Sequence, residues 1–333
     1  MNASESHALM ARELDEQPNI LAEAARALVG TASHIALDRT RPVWVGGCGD
    51  SLFAARAIAH HARRTGIDIR PASAAEMLWD APIAAGDTVI AISLSGGTRR
   101  TVEALSAASA RGARTIAITL RPDSALGEAA DDVVALPYTP VSRAIPHGLD
   151  YHVTLLALAS LMDDPDPDAI ATLFHGRTPC AHAAADAAAT GMAPDGRFFF
   201  LGSGAALGSA EYGAAKMHEA GGLTAFAFES ENFAHGAQFM LRPGDHATLC
   251  GADAAGDART LSLRDGLDQL GVGHQLAGFE APLGTLGAAF DAALTCQALC
   301  LAVAQARGLN VTDPANGSGA DAVQKDWFGW AAP

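Results

Sequence analysis

Residues 93–98, Ser-Leu-Ser-Gly-Gly-Thr, place three hydroxyls within six positions: Ser93, Ser95 and Thr98, with Gly96 and Gly97 between the last two. Val89 to Ile92, just before them, read as a buried strand. From about Thr98 a helical pattern begins, with Val102 and Leu105 on one face. A strand that turns through serine and glycine into a helix leaves the first helical N–H groups unpaired and pointing outward. Those donors, the helix dipole and the short hydroxyls together make an anion site. No Lys-Ser/Thr follows the glycines, so this is not a Walker loop, and the spacing is not the Gly-x-Gly-x-x-Gly of dinucleotide sites. The loop, with Leu94 inside it, suits the phosphomonoester of a small molecule; the plainer alternative is an ordinary Ser/Gly turn.

Two further stretches carry candidate chemistry. Val43-Trp-Val-Gly-Gly-Cys-Gly-Asp-Ser reads as a strand and a glycine-rich turn through Gly49, with Asp50 or Ser51 placed to cap a following helix. Later, Glu211, Lys216 and Glu219 fall on one helix, with Lys216 and Glu219 a turn apart. By itself that spacing reads as an exposed ion pair. Glu229, Glu231 and a His235-Gly236 pair follow.

Taken together these motifs resemble the sugar isomerase (SIS) domain family. The branch is the isomerase portion of glucosamine-6-phosphate synthase and the stand-alone deaminases related to it, over about Met10 to Asn316. Ser-Leu-Ser-Gly-Gly-Thr resembles the family's Ser-x-Ser-Gly-x-Thr phosphate loop. Glu13, Glu16, Gln17 and Pro18 resemble its opening Glu-x-x-Glu-Gln-Pro pattern; the bland reading is a solvated helix end broken at Pro18. In the family the turn at 49–51 lines the sugar pocket. A carboxylate there would repel phosphate, so Asp50 is expected to face sugar hydroxyls or an amine. The 211–239 segment resembles a Glu-x-x-x-Lys-x-x-Glu helix followed by His-Gly. The resemblance implies Glu219 as the base that moves a proton between C1 and C2, with Lys216 beside it, and His235, given across a subunit interface, as the ring-opening residue. One carboxylate and one group titrating near neutrality suit that chemistry.

Departures matter as well. Residues 138–152 replace a sugar-contacting loop of the family, and His147 within them reads as a surface histidine more readily than a substrate contact. Gly319 stands where the synthase carries an imine-forming tail Lys, with Lys325 six residues further on. Trp327, Phe328 and Trp330 are candidates to fold over a pocket.

The elements that must position these groups are short apolar strands (one starting at Val43, 89–92, 115–119, 133–136, one starting at Arg197, 246–250) alternating with Ala-rich helices. The expected fold is α/β, two tandem SIS-type doubly wound lobes with mainly parallel sheets flanked by helices. Arg197 to Glu211 repeats the strand, glycine turn and helix of residues 43–56, which reads as an internal duplication. The Asp/Pro run at 163–168 marks a boundary. The expected organisation is an N-terminal segment 1–24 with residues 1–9 disordered, a first lobe 25–165, a second lobe 166–315 and a tail 316–333. Helices are expected at 19–37, 181–190 and 285–307.

A net charge of −15 argues against nucleic acid as a partner. Five cysteines without a Cys-x-x-Cys pair read as reduced thiols in a cytoplasmic protein, with Cys296 and Cys300 in the core. No signal core is evident, no apolar run reads as long enough to span a bilayer, and no membrane partner is expected. No metal or organic cofactor is expected. With no glutamine-hydrolysing domain ahead of the lobes, amine release fits better than amine installation. The expected activity is therefore amino-sugar 6-phosphate deamination with ketose–aldose isomerisation, in a homodimer. The alternatives are a deglycase of sugar–amine 6-phosphates, a plain isomerase, and a silent phosphosugar sensor.

Overall fold

The computed structural model describes residues 1–331 apart from Ser33, Glu280 and 316–318. After a long helix α1 (Ala3–Ala32), the first lobe runs β1 (Val43–Gly47), α2 (Asp50–Arg64), β2 (Ile69–Ser73), α3 (Ala74–Trp79), β3 (Thr88–Ile92), α4 (Arg99–Ala110), β4 (Arg114–Thr119), α5 (Ala125–Glu128) and β5 (Asp132–Ala135). Helices α6 (Leu149–Ser160) and α7 (Pro167–Gly191) lead to the second lobe. This comprises β6 (Phe198–Gly202), α8 (Ala206–Glu219), β7 (Ala225–Glu229), α9 (Ser230–Phe233), β8 (His246–Cys250), α10 (Asp257–Leu261), α11 (Arg264–Gln269) and β9 (Gly273–Ala277). Helices α12 (Gly284–Arg307) and α13 (Ala320–Gly329) close the chain.

Every strand pair is parallel. The sheet orders are β2-β1-β3-β4-β5 and β7-β6-β8-β9. The first four strands of each lobe therefore follow the same order, as an internal duplication requires. The central strands β1, β3, β6 and β8 are buried on both faces, and the two-residue strand period divides their side chains between cores. In β3, Ile90 and Ile92 join a large core with Phe198, Phe200 and helices α1, α2, α6, α8 and α12, while Val89 and Ala91 face a separate core with Leu105 and Met77. In β6, Phe199 and Leu201 face a third core with Leu249 and Phe233. The large core thus lies between the two sheets and holds them as one body.

The N-terminus differs from its reading as disordered. It is helical from Ala3, and α1 continues through Pro18 to pack on α6, α7 and α12. Pro18 and its neighbour Gln17 are buried, so tertiary packing offsets the backbone hydrogen bond that proline forfeits. Helix α7 also begins earlier than its Ala-rich stretch suggests, because Asp166 accepts hydrogen bonds from Asp168 N and Ala169 N and Pro167 fills the first turn. A third difference concerns α12. By length and composition it is apolar enough to cross a bilayer, yet its whole apolar window is buried inside the protein, Cys296 and Cys300 included.

Candidate active site

The site forms where neighbouring strands end together. Gly47, the last residue of β1, is in register with Ile92, the last of β3, so the turn 48–51 and the loop 93–98 leave the sheet side by side. Cys48 Sγ, 3.8 Å from Thr101 Oγ1, ties the turn to the first turn of α4. In open α/β sheets this carboxyl end is where ligands bind.

The loop is built around its own hydroxyls. Ser93 and Thr98 hydrogen-bond side chain to side chain at 2.9 Å, and Gly97 N donates to Ser95 Oγ at 3.2 Å. Gly96 has φ +63°, and a Cβ there would fall 1.8 Å from Ser124 Oγ, so glycine is required both for the turn and for the close approach of α5. Leu94 contributes its carbonyl, which accepts from Leu120 N at 3.2 Å. Thr98 is the N-cap of α4 and makes no side-chain cap hydrogen bond, which leaves the helix start to an external acceptor.

In the second lobe the corresponding loop follows β8, and there it is filled from within. Asp257 accepts hydrogen bonds from Ala252 N at 3.0 Å and Ala254 N at 3.3 Å. An internal carboxylate thus sits on amides of this loop that would otherwise face an external acceptor.

The second lobe supplies α8 instead. Gly208 on α8 lies so close to α2 that a Cβ would sit 2.5 Å from Phe53 O and Ala57 N. This contact, reinforced by an Arg56–Glu211 ion pair, brings the first residue of α2 to the end of α8. Lys216 Nζ then bonds Asp50 Oδ2 at 2.8 Å and Glu219 Oε2 at 2.6 Å, and lies 5.1 Å from the Tyr212 ring centroid. Lys216 is fully buried, so this is no exposed-face ion pair. Burial alone would lower its pKa; the two carboxylates outweigh it and hold the ammonium above its usual range. Burial pushes the Asp50 carboxyl up, against the pull of Lys216. The amine that Asp50 faces is therefore the protein's own. Gly49 takes φ +56° at the N-cap of α2, and Ser51 N donates to Cys48 O at 3.3 Å, which shapes the rest of the turn.

The structure does not bring His235 into this cluster. Its side chain is 73% exposed and pairs with Glu231 at 3.0 Å, while Glu231 also meets Arg259. Glu229 is engaged locally, accepting from Asn232 N at 2.8 Å and Ser203 Oγ at 3.0 Å.

Other residues around the cluster come from outside the loop 93–98, the turn 48–51 and α8. Glu13 and Gln17, from the opening pattern, are buried. Glu13 Oε1 accepts from Gly148 N at 3.2 Å and Leu149 N at 3.1 Å, capping α6 from α1. Burial, aided by the charge of Asp150, pushes the Glu13 carboxyl up to about 7 against those two hydrogen bonds. Gln17 Nε2 donates to Gln297 Oε1 at 2.7 Å, and Gln297 Nε2 donates to Tyr212 Oη at 2.9 Å. His147 is only partly exposed; its Nδ1 faces Asp150 Oδ2, and the Tyr138 hydroxyl donates to the same carboxylate. Asp150 and Tyr138 were not legible as site residues, although a histidine and an aspartate three positions apart at a helix start were a usable signal.

The tail reaches the same end of the first lobe. Arg99 and Arg100, directly after the loop, donate to Gly329 O and Trp330 O, each at 3.1 Å. The Arg100 guanidinium lies 4.8 Å from the Trp79 ring and 5.0 Å from the Trp330 ring. Trp327 and Phe328 remain 74% exposed. Gly319 is the N-cap of α13 at φ +77°, and the side chain of Lys325 lies outside the described residues.

The comparisons agree with this architecture. Residues 37–161 match the SIS domain family. Among individual proteins, it is 27% identical over 270 residues to glutamine–fructose-6-phosphate aminotransferase [isomerizing] of Pyrobaculum aerophilum; the match covers 76% of this chain and 45% of that one, so the chain spans less than half of that relative's length. Glucosamine-6-phosphate deaminase from Thermotoga maritima shares the fold with a TM-score of 0.76 at 21% identity, over 92% of this chain and 97% of that one. Tagatose-6-phosphate ketose/aldose isomerase from Escherichia coli gives 0.77 at 18% identity, over 92% and 95%.

Proposed function

We propose that this chain is a sugar-phosphate isomerase of the SIS type that acts on an amino-sugar 6-phosphate and releases ammonia as it moves a proton between C1 and C2. The observation that carries this reading is the Asp50–Lys216–Glu219 cluster, set at the carboxyl end of the sheet beside the loop 93–98. The loop has the donors for a phosphomonoester. The buried ammonium orients Glu219 through a direct hydrogen bond, and a positioned carboxylate is the group that takes a proton from carbon. The relatives named above include an aminotransferase, a deaminase and a ketose/aldose isomerase acting on sugar 6-phosphates.

In this reading Ser93, Ser95 and Thr98 bind phosphate, Ser51 and Asp50 line the sugar side, and Glu219 is the base. His235, exposed and clear of its own chain's cluster, opens the ring in the site of a second copy, which makes the working unit a homodimer. A deglycase reading is favoured by one observation. Gly319 offers no amine where the resemblance places an imine-forming Lys, and a sugar–amine 6-phosphate brings its own nitrogen.

The test is ammonia release from glucosamine 6-phosphate by the purified protein, with fructose 6-phosphate followed in the same tube. Stoichiometric appearance of both supports the deaminase. Ammonia-free conversion supports a plain isomerase, and stabilisation by the sugar phosphate without turnover supports the sensor.

A further inference from the structure

We propose that His147, held by Asp150, is a further catalytic residue of this site: the group that gives and takes the proton at the sugar's C1 and C2 heteroatoms while Glu219 moves the proton on carbon. The proposal rests on the isomerase reading above and deepens it. The role is not one that the family resemblance supplies, because residues 138–152 depart from the family's loop.

The geometry is that of an oriented imidazole. His147 Nδ1 is bound by Asp150 Oδ2, which fixes the ring and leaves Nε2 as the nitrogen available to a ligand. The Asp150 side chain is 8% exposed and also receives the Tyr138 hydroxyl, so this carboxylate is held from two directions. The His147 ring keeps 40% of its surface open. Its backbone is anchored to the catalytic helix, since Tyr212 Oη donates to His147 O at 3.1 Å and Tyr212 stands one turn before Lys216 on α8. On the other side, Glu13 holds Gly148 N and Leu149 N. The turn 147–150 is therefore fixed between α1 and α8.

The charged groups acting on the ring are Asp150 on α6, and Lys216 and Glu219 on α8; Asp50 on α2 feels the ring's charge in return, as does Glu13 on α1. The hydrogen bond to Asp150 raises the imidazole's pKa against the effect of burial, so a protonated ring persists to higher pH than a free histidine would.

The step balances without a co-reactant. Starting from an open-chain aldose, Glu219 takes the C2 proton and the C2–H pair becomes the C1=C2 double bond. The C1=O π pair takes the proton of His147 Nε2, giving the C1 hydroxyl of an enediol, or of the enaminol when C2 carries nitrogen. Glu219 then returns its proton to C1. The proton on the C2 heteroatom passes to His147 Nε2 as the C2 double bond forms. Both residues end as they began.

The test uses the full chain with glucosamine 6-phosphate and with fructose 6-phosphate, comparing wild type, His147→Gln, Asp150→Asn and Glu219→Gln. The account expects His147→Gln to lower kcat 10²- to 10³-fold while substrate affinity by calorimetry stays within about threefold. It also expects loss of the limb of the pH profile on which activity falls as pH rises. Asp150→Asn is expected to keep that limb and move it to lower pH, which a purely structural role would not do. If His147→Gln keeps kcat within about threefold and an unchanged basic limb while Glu219→Gln is silent, the isomerase reading stands and the role of His147 is refuted. A wild type that turns over neither sugar phosphate refutes both.

Discussion

Replacing Glu13 by Gln isolates one buried proton. Glu13 is 5% exposed, and its carboxyl titrates at about 7 in the folded chain against 4.5 for an ordinary glutamate. The folded chain therefore binds that proton about 3 kcal/mol more tightly than the unfolded chain does. The sign follows from proton counting. Between pH 4.5 and 7 the folded state carries the proton and the unfolded state does not, so this contribution is complete below 4.5, declines as pH rises, and is gone above about 7. Gln cannot ionise, yet its Oε1 can still accept from Gly148 N and Leu149 N. Relative to wild type, Glu13→Gln should therefore gain about 3 kcal/mol between pH 4.5 and pH 8. For a chain of this size that is on the order of 4 °C in the unfolding midpoint. Scanning calorimetry of both proteins at half-unit steps from pH 5 to 8 measures it. A difference in midpoint that stays constant across that range would refute the account of Glu13 as a carboxyl neutralised by burial.

Three other perturbations follow from the same geometry. Lys216→Met leaves Asp50 and Glu219 without their shared cation; breaking a buried pair costs about 3–5 kcal/mol, reduced to about 2 kcal/mol here because the carboxylates keep 28% and 38% exposure. Chemical denaturation at pH 8 should show that loss, and a smaller one as the pH is lowered, because burial pushes the Asp50 carboxyl up. Gly96→Ala forces a Cβ onto Ser124 Oγ at a positive φ, so phosphate or sugar-phosphate affinity by calorimetry should fall at least tenfold while the second lobe keeps its fold by circular dichroism. Ser95→Ala removes the acceptor for Gly97 N and should raise KM strongly with a smaller effect on kcat, read from initial rates.

The sequence carried the parts of this structure that are local. Strands β1, β3, β4, β6 and β8 are apolar runs flanked by glycine or polar turns, and the loop 93–98 announces itself by spacing alone. The edge strands of the second sheet are harder to read. Strand β9, Gly-His-Gln-Leu-Ala, pairs with β8 and needs little apolar character, and β7 lies within the motif that follows α8. What the sequence could not show is contact across the chain. Asp50 meets Lys216 only because Gly208 lets α2 and α8 touch, and Glu13 reaches Leu149 only because α1 runs on through Pro18. The burial of Lys216, which sets its pairing with Glu219 apart from a surface ion pair, is likewise a tertiary property.

The central claim is that Glu219 moves a proton on the sugar carbon, and its most direct test is solvent exchange. Glucosamine 6-phosphate and fructose 6-phosphate incubated with the protein in deuterated buffer should acquire deuterium at C2 and C1 respectively, as followed by proton NMR. Glu219→Gln should abolish that exchange while still binding the sugar phosphate. Exchange at an undiminished rate in Glu219→Gln would contradict the account.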